Sequence, residues 1–447
     1  MKTPLSDFLQ KYSSENKVRF HMPGHKGKNI TGTEEFDITE VDGADVLYSA
    51  SGVIKESMAN AAALFGTAKT LYSTEGSSLS IRAMVYLLKL YALSKGEKPE
   101  ILAFRNAHKS FITACALMNT EITWLYAREN KGITCCDIDP EEIKEYLEKK
   151  DKLPTALYVT SPDYLGNMAD IKGLSELCRE KGIILAVDNA HGAYLNFLSE
   201  NQHPIYLGAD ICCDSAHKTL PVLTGGGYLH ISEKSPLLFR EKAEYALSLF
   251  ASTSPSYLIL RSLDLANGLL GSDYGEKLFS FIERVERLKK FLVEKGYSFV
   301  GNEPLKLTFE TKKYGYKGTE FADYLLSQNI VCEFSDEDYT VIMITPLNSE
   351  EELARLKKAL SVFPPKEKLT DKPPRITSPQ RIIPLGECIY MTTEKISTEM
   401  AVGRICGTVN VSCPPAVPIV IAGERIGERE KDLLIYYGVK EIEVITE

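Results

Sequence analysis

Gly182-Ile-Ile-Leu-Ala-Val-Asp188 is an apolar run that ends in a carboxylate, and Ala209-Asp-Ile-Cys-Cys213 is a second run of similar length. Short apolar runs bounded by polar residues are typical of buried β-strands. Helical patterns alternate with such runs in this chain, and that alternation is typical of βαβ units. The two runs therefore predict an α/β fold with a mostly parallel sheet that is covered by helices on both faces.

The same alternation extends along the chain. Strands are predicted at Ile101–Phe104, Ile122–Tyr126, Ala156–Thr160, Ile183–Asp188, Ala209–Cys213 and Gly227–Ile231. Helices are predicted at Ile54–Phe65, Leu79–Ser94, Ser110–Met118, Pro140–Lys149 and Leu174–Lys181, and Leu237–Leu270 is rich in helical pattern. A smaller α/β domain is predicted from strands at Tyr297–Phe309, Val331–Phe334 and Thr340–Ile344 and helices near Glu320–Gln328 and Glu350–Val362.

Pattern and composition divide the 447 residues into four segments. Residues 1–50 are short of helical periodicity and are expected to form an N-terminal arm and loop. Residues 51–270 are expected to form the major domain, and residues 271–363 the smaller α/β domain. Residues 364–447 begin with a basic, proline-rich linker and continue as a C-terminal segment. A chain of this length is too long for one ordinary core, which agrees with several domains.

Composition restricts the classes of function. Hydrophobic residues make up 44% and charged residues 25% of the chain, as in soluble globular proteins. The net charge of −9 and the lack of a long basic run argue against a nucleic-acid binder or a protein that binds acidic membranes. No signal-peptide core or membrane-length apolar stretch occurs, so a cytoplasmic location is expected. The 10 cysteines form no CxxC spacing, which predicts reduced thiols and no metal site.

A lysine follows the second apolar run, in Ser215-Ala-His217-Lys218. Taken alone, Asp188 is equally typical of a turn, and Lys218 of a surface. Ligands of open α/β sheets bind at the carboxyl ends of strands, however, and Lys218 is framed by apolar segments whose burial would lower its pKa. A lysine that forms a Schiff base with an aldehyde and a carboxylate that keeps a pyridine nitrogen protonated predict a site for pyridoxal phosphate (PLP).

A phosphate site is predicted at Glu75-Gly76-Ser77-Ser78, because free N–H groups at a helix start and two hydroxyls suit an anion. The same residues are equally typical of a plain serine N-cap. His108 follows another predicted strand, where it either stacks on an aromatic ring or is a structural histidine. Two glycine patterns are set aside: Gly66-Thr-Ala-Lys69-Thr70 lacks the P-loop spacing, and Gly225-Gly226-Gly227 is more typical of a flexible turn than of a dinucleotide site.

Several motifs occur together in one order. They are His21-Met-Pro-Gly-His-Lys-Gly27, Gly76-Ser-Ser78, His108-Lys-Ser110, Thr160-Ser-Pro-Asp-Tyr-Leu-Gly166, Asp188-Asn-Ala-His-Gly192 and Ser215-Ala-His-Lys218. In these motifs the chain resembles the Orn/Lys/Arg decarboxylase family of bacteria, over nearly its whole length. Cys413-Pro-Pro-Ala-Val-Pro418 and Ala422-Gly-Glu424 are similar to that family's Tyr-Pro-Pro-Gly-Ile-Pro and Pro-Gly-Glu signatures. The resemblance implies PLP fold type I, the aspartate-aminotransferase-like fold.

The resemblance also implies roles for the residues. Lys218 would form the Schiff base, Asp188 would pair with the pyridinium nitrogen, and His108 would stack on the cofactor ring. The residues implied to hold the phosphate or lie beside it are Gly76, Ser77, Ser78, Ser215 and His217, with His191 near the phenolic oxygen. The resemblance further implies a homodimer whose active site is shared between subunits, in the short form of the family without the extra N-terminal domain.

The sequence departs from the family at three places. Asp45-Val-Leu-Tyr-Ser-Ala-Ser-Gly52 lacks the proline of the Asp-x-Leu-x-x-Pro-x-Gly pattern. Cys413 replaces a tyrosine, and Ala416-Val417 replace Gly-Ile. The family uses these regions near the substrate or the subunit interface, so lysine, ornithine, arginine and a less usual amino acid all stay open as substrates.

The reaction that the resemblance implies is α-decarboxylation of a basic amino acid. The amino acid would displace Lys218, and His217 or the released Lys218 would protonate the α-carbon. A basic substrate needs an anionic partner for its distal end. Three carboxylates are candidates, each of which is equally typical of a solvated surface charge: Asp45, Asp163 and Glu424.

Two other functions stay open at this point. One is an aminotransferase or another PLP-dependent lyase; an aminotransferase would need an arginine clamp for the α-carboxylate, such as Arg381 or Arg404. The other is a non-catalytic relative kept for binding or regulation. The presence of Lys218, Asp188 and His108 together argues against the second alternative, since a retired site has no need of all three.

Overall fold

The structure is a computed structural model that describes residues 1–126, 139–374, 378–409 and 417–446. Contacts between Cα atoms divide the chain into two compact units. The first unit consists of residues 1–99, 151–158 and 171–278, and the second of residues 100–150, 159–170 and 279–447. The predicted domain boundaries near residues 50, 270 and 363 stay a prediction.

In the described part of the chain, seven strands form one sheet. They are β1 (Lys69–Ser73), β2 (Glu100–Phe104), β3 (Glu121–Leu125), β4 (Ala156–Thr160), β5 (Ile184–Asp188), β6 (Ile211–Asp214) and β7 (Gly227–Ile231). Their order is β1-β7-β6-β5-β4-β2-β3. β5 and β6 are parallel, as are β2 and β3, whereas β7 is antiparallel to both β1 and β6. The predicted α/β fold with a mostly parallel sheet is confirmed.

Six of these seven strands lie within two residues of their predicted bounds, and β1 is the strand that the sequence analysis does not predict. It includes Lys69-Thr70, which the sequence analysis set aside as part of a false P-loop. The last four residues of β1 are nevertheless buried, and Leu71 and Tyr72 pair with Leu229 and Tyr228 of β7. Pairing with β7 therefore stabilises a strand whose short, polar start gives little local signal.

The second unit contains further antiparallel strands. These are β8 (Phe299–Val300), β9 (Lys306–Glu310), β10 (Phe334–Ser335) and β11 (Tyr339–Met343), in the order β10-β11-β9-β8, and the separate pair β12 (Thr393–Ser397) and β13 (Glu441–Ile445). Aromatic rings pack beside the four-stranded sheet, with Tyr297 stacked on Tyr314 at 4.1 Å and Phe309 against Phe321 at 5.1 Å between ring centroids. The smaller α/β assembly that the sequence predicts there agrees with β9 and β11, whereas the strand predicted at Val331–Phe334 is shifted to the short β10.

The α-helices of the described residues are α1 (Pro4–Ser14), α2 (Val53–Phe65), α3 (Gly76–Ser94), α4 (Lys109–Leu117), α5 (Pro140–Glu148), α6 (Ile171–Lys181), α7 (Pro204–Leu207), α8 (Ala216–Thr219), α9 (Leu237–Ser248), α10 (Tyr257–Leu270), α11 (Tyr274–Glu294), α12 (Gly318–Ser327), α13 (Glu350–Val362), α14 (Leu385–Cys388) and α15 (Glu428–Tyr436). Short 3-10 helices lie at Leu47–Ser49, Ala193–Phe197, Thr311–Tyr314 and Thr398–Met400. None of the described helices is both long enough and apolar enough to cross a membrane.

Helix α1 corrects the expectation that residues 1–50 are short of helical periodicity. Leu5, Leu9 and Tyr12 are spaced to lie on one face of a helix, and all three are buried. Pro4 occupies the first turn, where its missing N–H costs nothing. The N–H of Ser6 donates to the Asp264 carboxylate of α10 at 2.8 Å, so α1 is held to the first unit by packing and by a buried hydrogen bond.

Candidate active site

Asp188 ends strand β5 and is almost completely buried. Its Oδ2 accepts a hydrogen bond from the Tyr158 hydroxyl at 3.1 Å, and its Oδ1 accepts from the Ala190 N–H at 3.2 Å and the Cys213 thiol at 3.6 Å. Among the described residues, no lysine, arginine or histidine forms an ion pair with it. A buried carboxylate without a cationic partner is costly, and a protonated pyridine nitrogen would supply that partner.

Lys218 lies in the one-turn helix α8, which follows β6 directly. Its side chain is half-buried, and its Nζ lies 3.1 Å from Nε2 of His191. His191 comes three residues after Asp188 and is buried. An amine and an imidazole at this distance can exchange a proton directly, which is the property that a lysine nucleophile needs.

A cradle of small residues lies at the start of helix α3. The N–H of Gly76 donates to the Gly225 carbonyl at 2.6 Å, and the N–H of Ser77 donates to Ser215 Oγ at 3.3 Å. Ser215 Oγ in turn donates to Ser77 Oγ at 2.9 Å, so the first turn of α3 and the turn after β6 are joined. Gly76 has a φ of 64°, a left-handed conformation that disfavours any side chain. Hydroxyls gathered at the start of a long helix fit a phosphate.

The glycines at Gly225-Gly226-Gly227 are packed closely, which differs from the flexible turn that the sequence suggests. A Cβ added at Gly227 would lie 2.8 Å from the Asp214 carbonyl oxygen, and one at Gly226 would lie 2.2 Å from a methyl of Val222. The glycines therefore let the start of β7 pass close to the end of β6 at Asp214 and to the start of α3 at Gly76.

His217 lies beside the cradle. Its Nδ1 donates to the Gly226 carbonyl at 2.9 Å, and its Cε1 would be 3.4 Å from a Cβ added at Gly76. Burial lowers the pKa of His217, and the neighbouring charge of Lys218 lowers it further. A neutral imidazole with Nδ1 protonated leaves Nε2 as the nitrogen that is open to an anion or a proton.

His108 caps helix α4 in the second unit. Its Nδ1 accepts from the Ser110 N–H at 3.2 Å and lies 3.0 Å from Ser110 Oγ. This capping contact is the structural role that the sequence analysis left open as an alternative. Stacking of His108 on the cofactor ring stays a prediction, and so does the phosphate contact of Ser78.

The three candidate carboxylates for the distal end of the substrate all have local partners. Asp45 accepts hydrogen bonds from the backbone N–H groups of Val46, Ser51, Gly52, Ile54 and Lys55. Asp163 is buried and accepts from Leu165 and Asn167. Glu424 is buried in a bidentate pair with Arg105, at 2.8 and 2.6 Å. These contacts favour structural roles for all three carboxylates, and a contact of any of them with the substrate stays a prediction.

The structure describes only some of the residues at which the sequence departs from the family. It describes both arginines that were considered as a clamp for a substrate carboxylate. Cys413 and Ala416 lie outside the described residues, whereas Val417 is buried in the C-terminal core. Arg404 pairs with Glu394 at 2.6 Å, and Arg381 donates to the Ile122 carbonyl at 3.3 Å. These contacts give no indication that Arg404 or Arg381 binds a substrate carboxylate.

Sequence reasoning missed the polar residues that surround Asp188. Tyr158 lies in the apolar run of β4, where a buried hydroxyl needs a partner, and that need was the available signal. Asn189 Nδ2 donates to Asp214 at 2.7 Å, and Asp214 also ends a buried strand, as Asp188 does. His203 and His230 join Asp214 only through the fold, and no local pattern reveals them.

Comparison with known proteins gives matches along most of the chain. The model for "Orn/Lys/Arg decarboxylase, major domain" matches residues 3–309, and the model for the C-terminal domain of the same family matches residues 373–442. The chain is 31% identical to "Uncharacterized protein YaaO" of Bacillus subtilis (95% of this chain, 92% of that one). It is 30% identical to an arginine decarboxylase of the same organism (95% and 91%).

Solved structures show the same fold. The lysine decarboxylase LdcF of Francisella novicida matches with a TM-score of 0.79 at 17% identity, over 99% of this chain and 81% of that one. The constitutive lysine decarboxylase of Escherichia coli matches with a TM-score of 0.75 at 18% identity, over 100% and 82%. At these identities the likeness concerns the fold alone, and it agrees with the predicted fold class.

Proposed function

Because the chain belongs to the Orn/Lys/Arg decarboxylase family of PLP-dependent carboxy-lyases, we propose that it removes the α-carboxylate of a basic amino acid as CO2, with PLP bound covalently at Lys218. The observation that carries this proposal is the pair of neighbouring strand ends in the first unit. One presents the buried carboxylate of Asp188, and the other is followed by the short helix α8 that carries Lys218, whose amine lies 3.1 Å from His191.

PLP, when bound, supplies the electron sink that accepts the bonding electrons as CO2 leaves. Asp188 keeps a proton on the ring nitrogen, since its buried carboxylate has donors around it but no described cation. The first turn of α3 and the residues after β6 would hold the phosphate through Gly76, Ser77, Ser78, Ser215 and His217. As the family resemblance implies, His108 would stack on the ring and His191 would lie near the phenolic oxygen.

Lys218 is the group that we assign to return a proton to the α-carbon. Its Nζ and Nε2 of His191 are close enough to share that proton. His217 is less suited to this task, because burial lowers its pKa and its Nδ1 is engaged by Gly226. We therefore place His217 at the phosphate, where an anion would favour its protonated form.

Arginine is the first substrate to test. Relatives named arginine decarboxylase, from Bacillus subtilis and Bacillus anthracis, are 30% and 29% identical to this chain over 95% of its length. Lysine and ornithine remain in the same proposal, since the candidate carboxylates for the distal end are engaged elsewhere in this structure.

We also propose a homodimer with a shared active site that works in the cytoplasm. Residues 18–30 expose four large apolar side chains: Val18, Phe20, Met22 and Ile30. Exposed apolar residues gathered on one segment are typical of an interaction surface. The buried, free cysteines, such as Cys212 and Cys213, are consistent with a reducing compartment.

Product analysis tests the proposed reaction. Wild-type protein, Lys218→Ala and the control Lys234→Ala, which changes an exposed lysine of the same unit, are incubated with PLP and arginine, lysine or ornithine. We expect CO2 and the matching amine from the wild type and the control, and neither from Lys218→Ala. Formation of a 2-oxo acid in place of the amine would identify an aminotransferase and overturn the proposal.

A further inference from the structure

A second buried carboxylate lies beside the site, at the end of β6. Asp214 is fully buried, and its Oδ2 accepts from Nε2 of His203 and from Nε2 of His230, both at 3.1 Å. Its Oδ1 accepts from Asn189 Nδ2 at 2.7 Å and from the Cys212 thiol at 3.6 Å. The carboxylate therefore has donors on both oxygens, in a cluster that the proposed chemistry does not use.

Two histidines and a carboxylate are also a common set of metal ligands, but the hydrogen bonds favour protons over a metal ion. The N–H of Ile205 donates to Nδ1 of His203 at 3.4 Å, so Nδ1 lacks a proton and Nε2 carries one. A metal on Nε2 would remove that proton and require Nδ1 to carry one, against the N–H that already points at it. The cluster is therefore a carboxylate held by imidazole donors.

The two imidazoles keep the buried carboxyl group of Asp214 in its ionised form. Burial alone would raise the pKa of Asp214, but the two imidazoles outweigh burial and hold the pKa well below its usual range. Burial lowers the pKa of His230, whose Nδ1 lies 2.8 Å from Thr70 Oγ1. The cluster is thus a fixed anion at neutral pH, suited to orient its neighbours and not to exchange protons.

Asp214 connects the two strand ends that form the site. Its side chain binds Asn189, the residue after Asp188, and its own successor in the chain is Ser215. The N–H of Asn189 also donates to the Cys213 carbonyl at 2.9 Å, which reinforces the same connection. One buried carboxylate thereby fixes the turn that presents Asp188 and the turn that presents Ser215 and Lys218.

We propose that Asp214, held by His203 and His230, is a positioning residue for PLP that keeps the Asp188 end and the Ser215 end of the cofactor site at a fixed spacing. The proposal rests on the proposed function, because it assumes PLP between these ends. This positioning role requires a carboxylate at position 214. An amide at position 214 cannot accept from both imidazoles on one side and from Asn189 on the other, so one buried donor would lose its acceptor.

The test compares Asp214→Asn with a swapped pair and a matched control. In Asn189→Asp/Asp214→Asn the amide at 214 accepts from the imidazoles and donates to the new carboxylate at 189, which restores the hydrogen bonds to His203, His230 and residue 189. Asp264→Asn is the control: Asp264 is equally buried in the same unit and accepts from Ser57 Oγ and the Ser6 N–H, but it has no contact with either strand end.

PLP affinity of the apo-protein is measured by equilibrium dialysis, together with the visible absorbance of the loaded protein across pH and the thermal midpoint. We expect Asp214→Asn to lose PLP affinity by roughly 10- to 100-fold, the scale of one lost buried hydrogen bond to a charged group, and to change the pH profile of the absorbance. The swapped pair should regain most of the affinity. The control should bind PLP as the wild type does, even where its midpoint falls.

Wild-type PLP affinity in Asp214→Asn would overturn the proposal, and so would an equal loss in Asp264→Asn, since that would be a general effect of destabilisation. If Asp214→Asn does not fold, Asn189→Ala decides, because it cuts the connection to Asp188 and leaves the charged cluster intact. Unchanged PLP affinity in Asn189→Ala would then overturn the proposal. Failure of the wild type itself to bind PLP would instead contradict the proposed function, on which this proposal rests.

Discussion

At the scale of single residues, Tyr158 is the neighbour that bears most directly on Asp188. Its hydroxyl donates to the carboxylate oxygen Oδ2 at 3.1 Å inside the sheet. Tyr158→Phe removes a hydrogen bond to a charged group, worth about 1.5–3 kcal/mol, so we expect kcat for decarboxylation to fall by at least tenfold while the protein stays folded. Steady-state kinetics of the PLP-loaded variant measure this change.

Tyr228→Phe is the matched control for that experiment. Tyr228 is also fully buried in the sheet, and no described residue forms a hydrogen bond with its hydroxyl. Its replacement should leave kcat unchanged. Equal rates for Tyr158→Phe and the wild type would show that the hydrogen bond to Asp188 does not matter for turnover.

Replacing Glu424 tests whether its carboxylate stabilises the fold or binds the substrate. Its carboxylate forms a buried bidentate pair with Arg105, and Glu424→Gln would leave the Arg105 charge only partly compensated. We expect a loss of about 3–5 kcal/mol in the free energy of unfolding, the usual cost of breaking a buried ion pair. Urea denaturation measures this loss, and Glu428→Gln, which removes an exposed partner of Lys431, should change stability little.

The KM of Glu424→Gln for arginine shows whether Glu424 contributes to substrate binding instead. A variant with unchanged unfolding free energy and a raised KM for arginine would restore Glu424 as the substrate carboxylate that the sequence suggests. A destabilised variant whose KM is unchanged would assign the pair with Arg105 to structure.

At the scale of helices and strands, Asp264 joins α1, α2 and α10. It lies on α10 and accepts from Ser57 of α2 and from the Ser6 N–H of α1. Burial raises the pKa of Asp264 to about 6 from an ordinary value of 3.8. Because the folded state then binds this proton more tightly than the unfolded state, its contribution to stability is complete below pH 3.8 and is lost as the pH rises through 6.

The corresponding prediction concerns the thermal midpoint between about pH 4 and pH 7. The difference between wild type and Asp264→Asn should fall across this window and become constant above it. Taking the difference removes the contribution of Asp336, whose pKa burial also raises, to about 7. If the difference in thermal midpoint between wild type and Asp264→Asn does not change with pH, the raised pKa assigned to Asp264 is contradicted.

The elements also show how far the sequence predicts this fold. Ala156–Thr160, Gly227–Ile231 and Glu350–Val362 have the bounds that their patterns predict, because continuous apolar runs and a 3.6-residue period are local signals. β1 lacks such a signal and depends on pairing with β7. α1 is short, and its three buried apolar residues are buried only because α2 and α10 pack against it.

The residues of the candidate site also form two groups: those that the sequence predicts and those that only the structure reveals. Asp188 and Lys218 are predictable because one ends an apolar run and the other is framed by apolar segments, and these positions are visible in the sequence. Asp214 was not predicted, since its importance depends on His203 and His230, which only the fold brings to it. Motif order identified the family, while the contacts around the motifs required the structure.

At the scale of the whole molecule, the exposed apolar segment of residues 18–30 bears on assembly. Phe20 is 93% exposed, which is costly unless another surface covers it. We expect Phe20→Asp to weaken the homodimer and to lower activity with it, since the proposed site is shared. Light scattering and activity at matched micromolar protein concentration measure both.

Val331→Asp is the control for the assembly experiment, because Val331 is 80% exposed and lies far from residues 18–30 in sequence. It should change neither mass nor activity. A monomeric Phe20→Asp protein with full activity would contradict the shared site.

The most direct test of the central claim is to locate PLP on the chain. The PLP-loaded protein is reduced with borohydride, digested and analysed by mass spectrometry, with Lys218→Ala treated in parallel. The account predicts a pyridoxyl group on Lys218 and none in the variant. A pyridoxyl group on another lysine, or no label on the wild type, would contradict the assignment of these strand ends as the PLP site.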